Sequence, residues 1–266
     1  MFWNLINPGY GPIALNEGVG VAYEAEASAL FVRFTTPPTT ARKTAINTFI
    51  RALKDAGAWD DLDVLHVMAA ADSQAALLNW KSTSFTASLV NAPSFTADLG
   101  FTGDGATSYV NSGFTPSTAG GQATLNSSCF SIYALNNVVG AAASGISDGT
   151  NQTNINPRNG SSQRVGRVNQ GGTTTGFAST DSRGLTTMNR SGASAVELYL
   201  DGMQLATNTT ASTALPTAAL RYGSSGAAAF NGFQHAIGRI ASSQSQAKET
   251  AFYNAALAYL QAVGAA

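Results

Sequence analysis

The chain has 266 residues, 44% of them apolar and only 11% charged, with 14 Lys and Arg against 15 Asp and Glu and a formal net charge of -1. This length and apolar content allow one large domain or two smaller ones with a real core, while the lack of a basic stripe argues against a nucleic-acid partner. The single cysteine, Cys129, excludes an intramolecular disulfide and a cysteine zinc cluster.

Met1-Phe2-Trp3-Asn4 carries no basic n-region and no long apolar h-region, so no secretory signal is expected. No run approaches the roughly 20 apolar residues of a membrane span, and no membrane insertion is expected. Residues 1–36 are broken by Pro8-Gly9 and Gly11-Pro12, then offer two strand candidates at 19–26 and 29–35, closed by Pro37-Pro38. They read as an N-terminal arm, with Phe2, Trp3 and Tyr10 as docking or assembly anchors, or equally as the first strand of the same domain.

Residues 37–83 form a lead-in. Thr39 or Thr40 caps a helix whose Ile46, Phe49, Ile50 and Leu53 keep the spacing of one buried stripe, with Gly57 as its stop. A mostly buried strand is expected at 62–69, followed by a short helix capped by Asp72 or Ser73 and running to Trp80.

From residue 84 to 242, short apolar runs alternate with Gly, Ser, Thr and Asn clusters, the spacing of a β-sandwich or barrel. Strands are expected near 86–90, 99–103, 107–113, 129–137, 141–147, 151–156, 162–168, 184–190, 195–200, 203–207, 218–222 and 234–241, with a loop at 171–176. The clearest signal is the hairpin around Asp201-Gly202. Val196, Leu198 and Leu200 fall on one face of its first strand, and Glu197 and Tyr199 on the other. Residues 243–266 return to helix, entered through Ser243 and Ser245, with Phe252, Ala255, Ala256, Tyr259, Leu260 and Val263 on one face.

Phe101-Thr102-Gly103-Asp104-Gly105, the strand Cys129-Phe130-Ser131-Ile132-Tyr133-Ala134, the hairpin Tyr199-Leu200-Asp201-Gly202 and the strand Phe230-Asn231-Gly232-Phe233 occur in the order found in LamG and concanavalin A-like jelly rolls. The chain resembles that family over roughly 84–242. The resemblance implies a mainly β fold: a two-sheet antiparallel jelly-roll sandwich with a preceding amphipathic helix and a C-terminal helix. With Leu53-Lys54-Asp55-Ala56-Gly57, Leu62-Asp63-Val64-Leu65 and the terminal Tyr253-Asn254-Ala255-Ala256, the whole resembles virion structural proteins of tailed phages and prophages. That resemblance implies a non-enzymatic head decoration, head fibre or tail-associated surface protein. It would be made in the bacterial cytoplasm, sit on the virion surface, self-associate as a homo-oligomer and contact other virion proteins. It could also touch a host cell-surface glycan. A stand-alone carbohydrate-binding module is the alternative, and a glycoside hydrolase the third.

The residues decide little between these classes. A glycosidase needs two carboxylates facing one cleft, and the acids of the β region pair on no strand face. His66 and His235 have no Ser and Asp in a nucleophile pattern, so each reads as a packed histidine. No cofactor is expected. Asp104, Asp148, Asn151 and Asp201 could offer oxygens to calcium, although Asp-Gly turns are the better explanation of the three aspartates. For glycan contact, the polar stretch from Asn151 to Arg167 supplies Asn154, Asn156, Arg158, Arg164 and Arg167, but no aromatic platform. Tyr109, Tyr133, Tyr199 and Tyr222 either provide one on an outer sheet face or pack at the core edges.

Overall fold

The computed structural model describes residues 22–149 and 151–266; Phe2, Trp3 and Tyr10 lie outside the described residues. In chain order the elements are α1 (Ala25–Phe31), α2 (Thr40–Asp55), β1 (Leu62–Val67), α3 (Ser73–Ala76), β2 (Ser88–Val90), β3 (Ser94–Thr96), β4 (Gly100–Thr102), β5 (Tyr109–Asn111) and α4 (Pro116–Ala119). Then follow β6 (Ser128–Ala134), β7 (Ser144–Asp148), β8 (Asn151–Asn156), β9 (Gln163–Gln170), β10 (Thr175–Ala178), β11 (Gly184–Gly192), β12 (Ala195–Leu200) and β13 (Met203–Asn208). The chain closes with β14 (Arg221–Tyr222), β15 (Ser224–Gly226), β16 (Ala229–Phe230), β17 (Gln234–Ala241) and α5 (Gln246–Val263). Helix accounts for 20% and strand for 36%.

Two antiparallel sheets face each other. The larger, of eight strands, runs β13-β12-β11-β6-β17-β4-β3, with β1 also paired to β17; the smaller, of seven, runs β10-β9-β8-β7-β14-β5-β2. Side chains that alternate inward from both sheets make the sandwich core: Phe130, Ile132, Met188, Val196, Leu198 and Ile240 from the larger, and Val110, Ile146, Ile155, Val168 and Tyr222 from the smaller. The opposite face of the larger sheet is also apolar, through Leu65, Val67, Tyr133, Leu185 and Ile237, and it is covered by α1, α2 and α5. The order is thus helix layer, large sheet, small sheet.

The caps follow the sequence. Thr39 accepts a hydrogen bond from the Arg42 amide at the start of α2, and Ser245 from the Lys248 amide at the start of α5. Gly57 ends the first of these helices at φ 64°. The hairpin between β12 and β13 turns through Asp201 (φ 51°) and Gly202 (φ 78°), both in the left-handed region that such a turn requires.

Four expectations need correction. The strand candidate at 29–35 is wrong, and so is the second half of the one at 19–26, because 25–31 is helix. Ala27 and Leu30 sit one turn apart in the helical core cluster, whereas Val32, which a strand would bury beside Leu30, is 84% exposed. The loop read at 171–176 contains the start of β10, an edge strand whose Gly176 pairs with Val165. The lead-in boundary at 84 cuts through the sheet, since β1 pairs with β17 from Leu62↔Ala241 to Val67↔Ile237. The short strands β3, β15 and β16 carry too few residues to show a period.

Candidate functional site

Because α1, α2 and α5 all pack on the larger sheet, the outward face of the smaller sheet has no helical cover among the described residues. Its side chains follow from the alternation. With Val110, Tyr222, Ile146, Ile155 and Val168 turned into the core, their neighbours Tyr109, Asn111, Arg221, Asn154 and Arg167 turn outward. The strand register sets four of these positions, with Gly145 between them, in one line across the sheet: Asn111↔Arg221, Arg221↔Gly145, Gly145↔Asn154 and Asn154↔Arg167.

Gly145 is an enforced gap in that line. Its φ is 122°, and a Cβ there would stand 2.2 Å from the Thr153 carbonyl oxygen. No side chain therefore separates Arg221 from Asn154. The Arg221 guanidinium lies 4.7 Å from the centre of the Tyr109 ring, the arrangement in which an arginine plane rests on an aromatic face. Phe230 follows, its ring centre 6.3 Å from that of Tyr109. Beyond Phe230 opens a cleft of about 410 Å³, walled by Gly105 and Ala106, by Ala141 and Ala142, and by the turn of the β15–β16 ribbon. Three loops at one end of the sandwich thus frame an aromatic–arginine platform.

One wall is held rigidly. Asp104 Oδ1 accepts the amides of Ala106, Thr107 and Ser108 at 2.8–2.9 Å, and Oδ2 accepts the Thr107 hydroxyl at 2.7 Å. These donors hold its carboxyl well below the usual carboxylate range. On the open face, Asn154 donates to Ser147 Oγ at 2.9 Å and to Gln152 Oε1 at 3.2 Å, and Arg167 donates to the same Gln152 oxygen at 2.8 Å. This network keeps a row of amide groups in fixed orientation next to the platform.

The candidates from the sequence fare unevenly. Asn154 and Arg167 lie on the open face, though Asn154 is largely covered by its neighbours. Asn156 is buried, donating to the Gly140 carbonyl at 3.1 Å, and Arg158 donates to Asn137 Oδ1 at 3.2 Å; both brace the loop before β7. Arg164 is a correction: it points between the sheets, 1% exposed, and donates to Thr186 Oγ1 and to the carbonyls of Asp181 and Arg183. Burial lowers its pKa to about 10. Of the four tyrosines, Tyr109 alone faces outward; Tyr133 and Tyr199 lie under the helical layer and Tyr222 lies between the sheets. The sequence reading missed Arg221 and Phe230. The signal for Arg221 was present, since Leu220 and Tyr222 alternate inward around it.

The three aspartates offered to calcium stand apart, Asp104 engaged in its own loop and the other two by distant segments. Asp148 Oδ2 accepts the amide and hydroxyl of Thr217, and Asp201 Oδ1 accepts the Leu185 amide at 2.8 Å. Among the described residues no group of three or more His, Cys, Asp or Glu could hold a metal ion. Both histidines are buried. His66 Nδ1 lies 3.2 Å from the Tyr222 hydroxyl and its Nε2 lies 2.9 Å from the Phe85 carbonyl oxygen. His235 Nε2 lies 3.3 Å from Ser144 Oγ. Desolvation pushes them down to about 4 and about 3, so both are neutral. Ser144 and His235 do not make a nucleophile pair, since both are enclosed and His235 Nδ1 has no partner.

No protein-family model matches the chain, and no curated protein matches its sequence. Solved structures share its fold at low identity. The binding domain of botulinum neurotoxin DC, in complex with SialylT, aligns with 74% of this chain and 52% of its own at 9% identity and a TM-score of 0.52. A sialidase of Trypanosoma rangeli in complex with sialic acid aligns with 79% of this chain and 38% of its own at 10% identity and a TM-score of 0.50. Domain 4 of an extracellular arabinanase of Geobacillus stearothermophilus, in complex with arabinotriose, aligns over 72% of this chain and 98% of its own at 12% identity, with a TM-score of 0.44. The chain therefore spans about half of the toxin domain and less of the sialidase. The likeness to the toxin domain and the sialidase shows a two-sheet β-sandwich fold. No helix among the described residues is long and apolar enough to cross a membrane.

Proposed function

We propose that this chain is a glycan-binding β-sandwich module that acts without catalysis. The observation that carries the reading is the platform on the uncovered sheet face: Tyr109 beneath Arg221, Phe230 beside it, and an ordered amide row alongside. A sugar ring has an apolar face that stacks on an aromatic and a rim of hydroxyls that amides and guanidinium groups can orient. Two proteins of the same fold, the sialidase and the toxin binding domain, carry sialic acid and SialylT in their complexes, which supports a glycan as the ligand class. The acids argue for binding rather than hydrolysis. Asp104, Asp148 and Asp201 hold turns, Asp181 pairs with Arg183, and Glu197 accepts from Asn189 and Ser191. None of them stands opposite a second carboxylate across the cleft as a glycosidase would need.

The particle-component reading, with its homo-oligomer and virion-surface location, rests on the sequence resemblance alone; none of the three structures above is a virion protein. The test is a glycan array with full-length protein, followed by titration of the best binder into Tyr109→Ala and Phe230→Ala. Each variant should weaken binding by at least tenfold while melting within a few degrees of wild type. Wild-type protein that binds no glycan on the array overturns the proposal.

A further inference from the structure

The chain has 14 basic residues, and its four lysines leave ten arginines. Nine of the ten donate hydrogen bonds to carbonyl, carboxylate, amide or hydroxyl oxygens. Arg221 donates to none among the described residues, and its Nε is buried without a partner. Its two Nη groups make no hydrogen bond among the described residues and are not buried, so a ligand can accept from them without breaking a contact within the protein. Its planar fork fits a carboxylate through two parallel bonds.

The surrounding charge points the same way. The strands of the smaller sheet turn Arg167 and Arg221 outward, while Arg164 is spent between the sheets, and their one acid is Asp148. Asp148 is turned to Thr217 and Asp104, on the cleft wall, to its own loop, while Arg167 lies in the same cross-strand line as Arg221. The open face thus offers one unused cationic fork, next to a cleft within the roughly 300–1,000 Å³ range of small-ligand sites.

We propose that this face selects glycans bearing a carboxylate, a sialic or uronic acid, with Arg221 as the carboxylate receptor and Tyr109 as the support that keeps its fork flat. This inference rests on the glycan-binding reading above.

The test uses the full chain on an array of neutral, sialylated, uronate-containing and sulfated glycans at low salt. The best carboxylated binder is then titrated as the free acid and as its methyl ester, and into Arg221→Gln and Arg221→Lys. Carboxylated glycans should lead the array. Esterification or Arg221→Gln should each weaken binding by about tenfold or more, the loss expected for one charge-assisted contact, and Arg221→Lys should recover part of it. The ester needs no variant, so the test stands even if the substitutions unfold the protein. Neutral or sulfated glycans binding as well as carboxylated ones, or an ester that binds like the acid, overturn the carboxylate inference and leave glycan binding standing. Failure to bind any glycan overturns both.

Discussion

Arg239 of the central strand β17 and Glu249 of α5 form an ion pair in which both side chains are completely buried. Around it lie Ser131 and Thr187, which accept from Nε and Nη2 of the guanidinium, the ring of Phe252, and Cys129, whose sulfur is 3.7 Å from the carboxylate. The pair fastens the helical layer to the middle of the larger sheet. Burial pushes the Cys129 thiol up to about 12, so it stays protonated and unreactive.

Removing one partner strands the other charge in the core. Glu249→Ala should therefore lower stability by about 3–5 kcal/mol, whereas the double replacement Arg239→Met with Glu249→Leu should recover most of that loss. Urea denaturation of the three proteins checks this; equal losses in the single and double variants would show that packing, not the unpaired charge, sets the cost.

Acid should destabilise the fold before its carboxylates titrate. His66 and His235 have folded pKa values of about 4 and about 3, below the ordinary histidine value of about 6.5, because burial disfavours the charged ring. The unfolded chain thus binds protons first, and stability is lost as pH falls below about 6.5. At pH 5 the loss should be about 2 kcal/mol per histidine. Melting temperature measured from pH 7.5 to 5 should fall in wild type and fall less in His235→Gln; a flat wild-type profile contradicts the assignment.

Gly145 should tolerate no side chain. In Gly145→Ala the new methyl meets the Thr153 carbonyl at a backbone angle that alanine avoids, costing roughly 2–4 kcal/mol. Thermal unfolding gives the size of the loss. Glycan titration at a temperature where the variant is folded should show weaker binding, because the gap between Arg221 and Asn154 is filled.

Residues 25–31 should behave as part of the domain. Leu30 is 1% exposed, inside the cluster shared by α2 and α5, so Leu30→Ala should cost about 2–4 kcal/mol. Deleting residues 1–36 should cost at least as much. A deletion variant that melts like wild type would restore the view of this stretch as a detachable arm.

Fold and site were unequally legible. α2, α5 and the β12–β13 hairpin were readable because caps, a 3.6-residue stripe and an Asp-Gly turn all act locally. The helix at 25–31 was not, since Ala27 and Leu30 make too short a stripe and the neighbouring Val32 and Phe34 imitate strand alternation. The site was the least legible. Asn111, Arg221, Gly145, Asn154 and Arg167 come from five strands spread over more than half of the sheet-forming sequence, and only the register aligns them. Arg164 misled because an arginine near polar loops looks solvent-facing, while its strand turns it toward Thr186.

The late position of β17 in the chain carries a consequence for biosynthesis. It is the strand on which β1, β4 and β6 all pair, so three earlier segments wait for residue 241 to leave the ribosome. At about 5–20 residues per second that wait is on the order of tens of seconds. During it, the apolar faces of β1 and β6 have no partner strand between them. Nascent chains should therefore need holdase protection until residue 241 has emerged, and slower ribosomes should raise the aggregated fraction, the reverse of their usual effect on proteins that fold domain by domain.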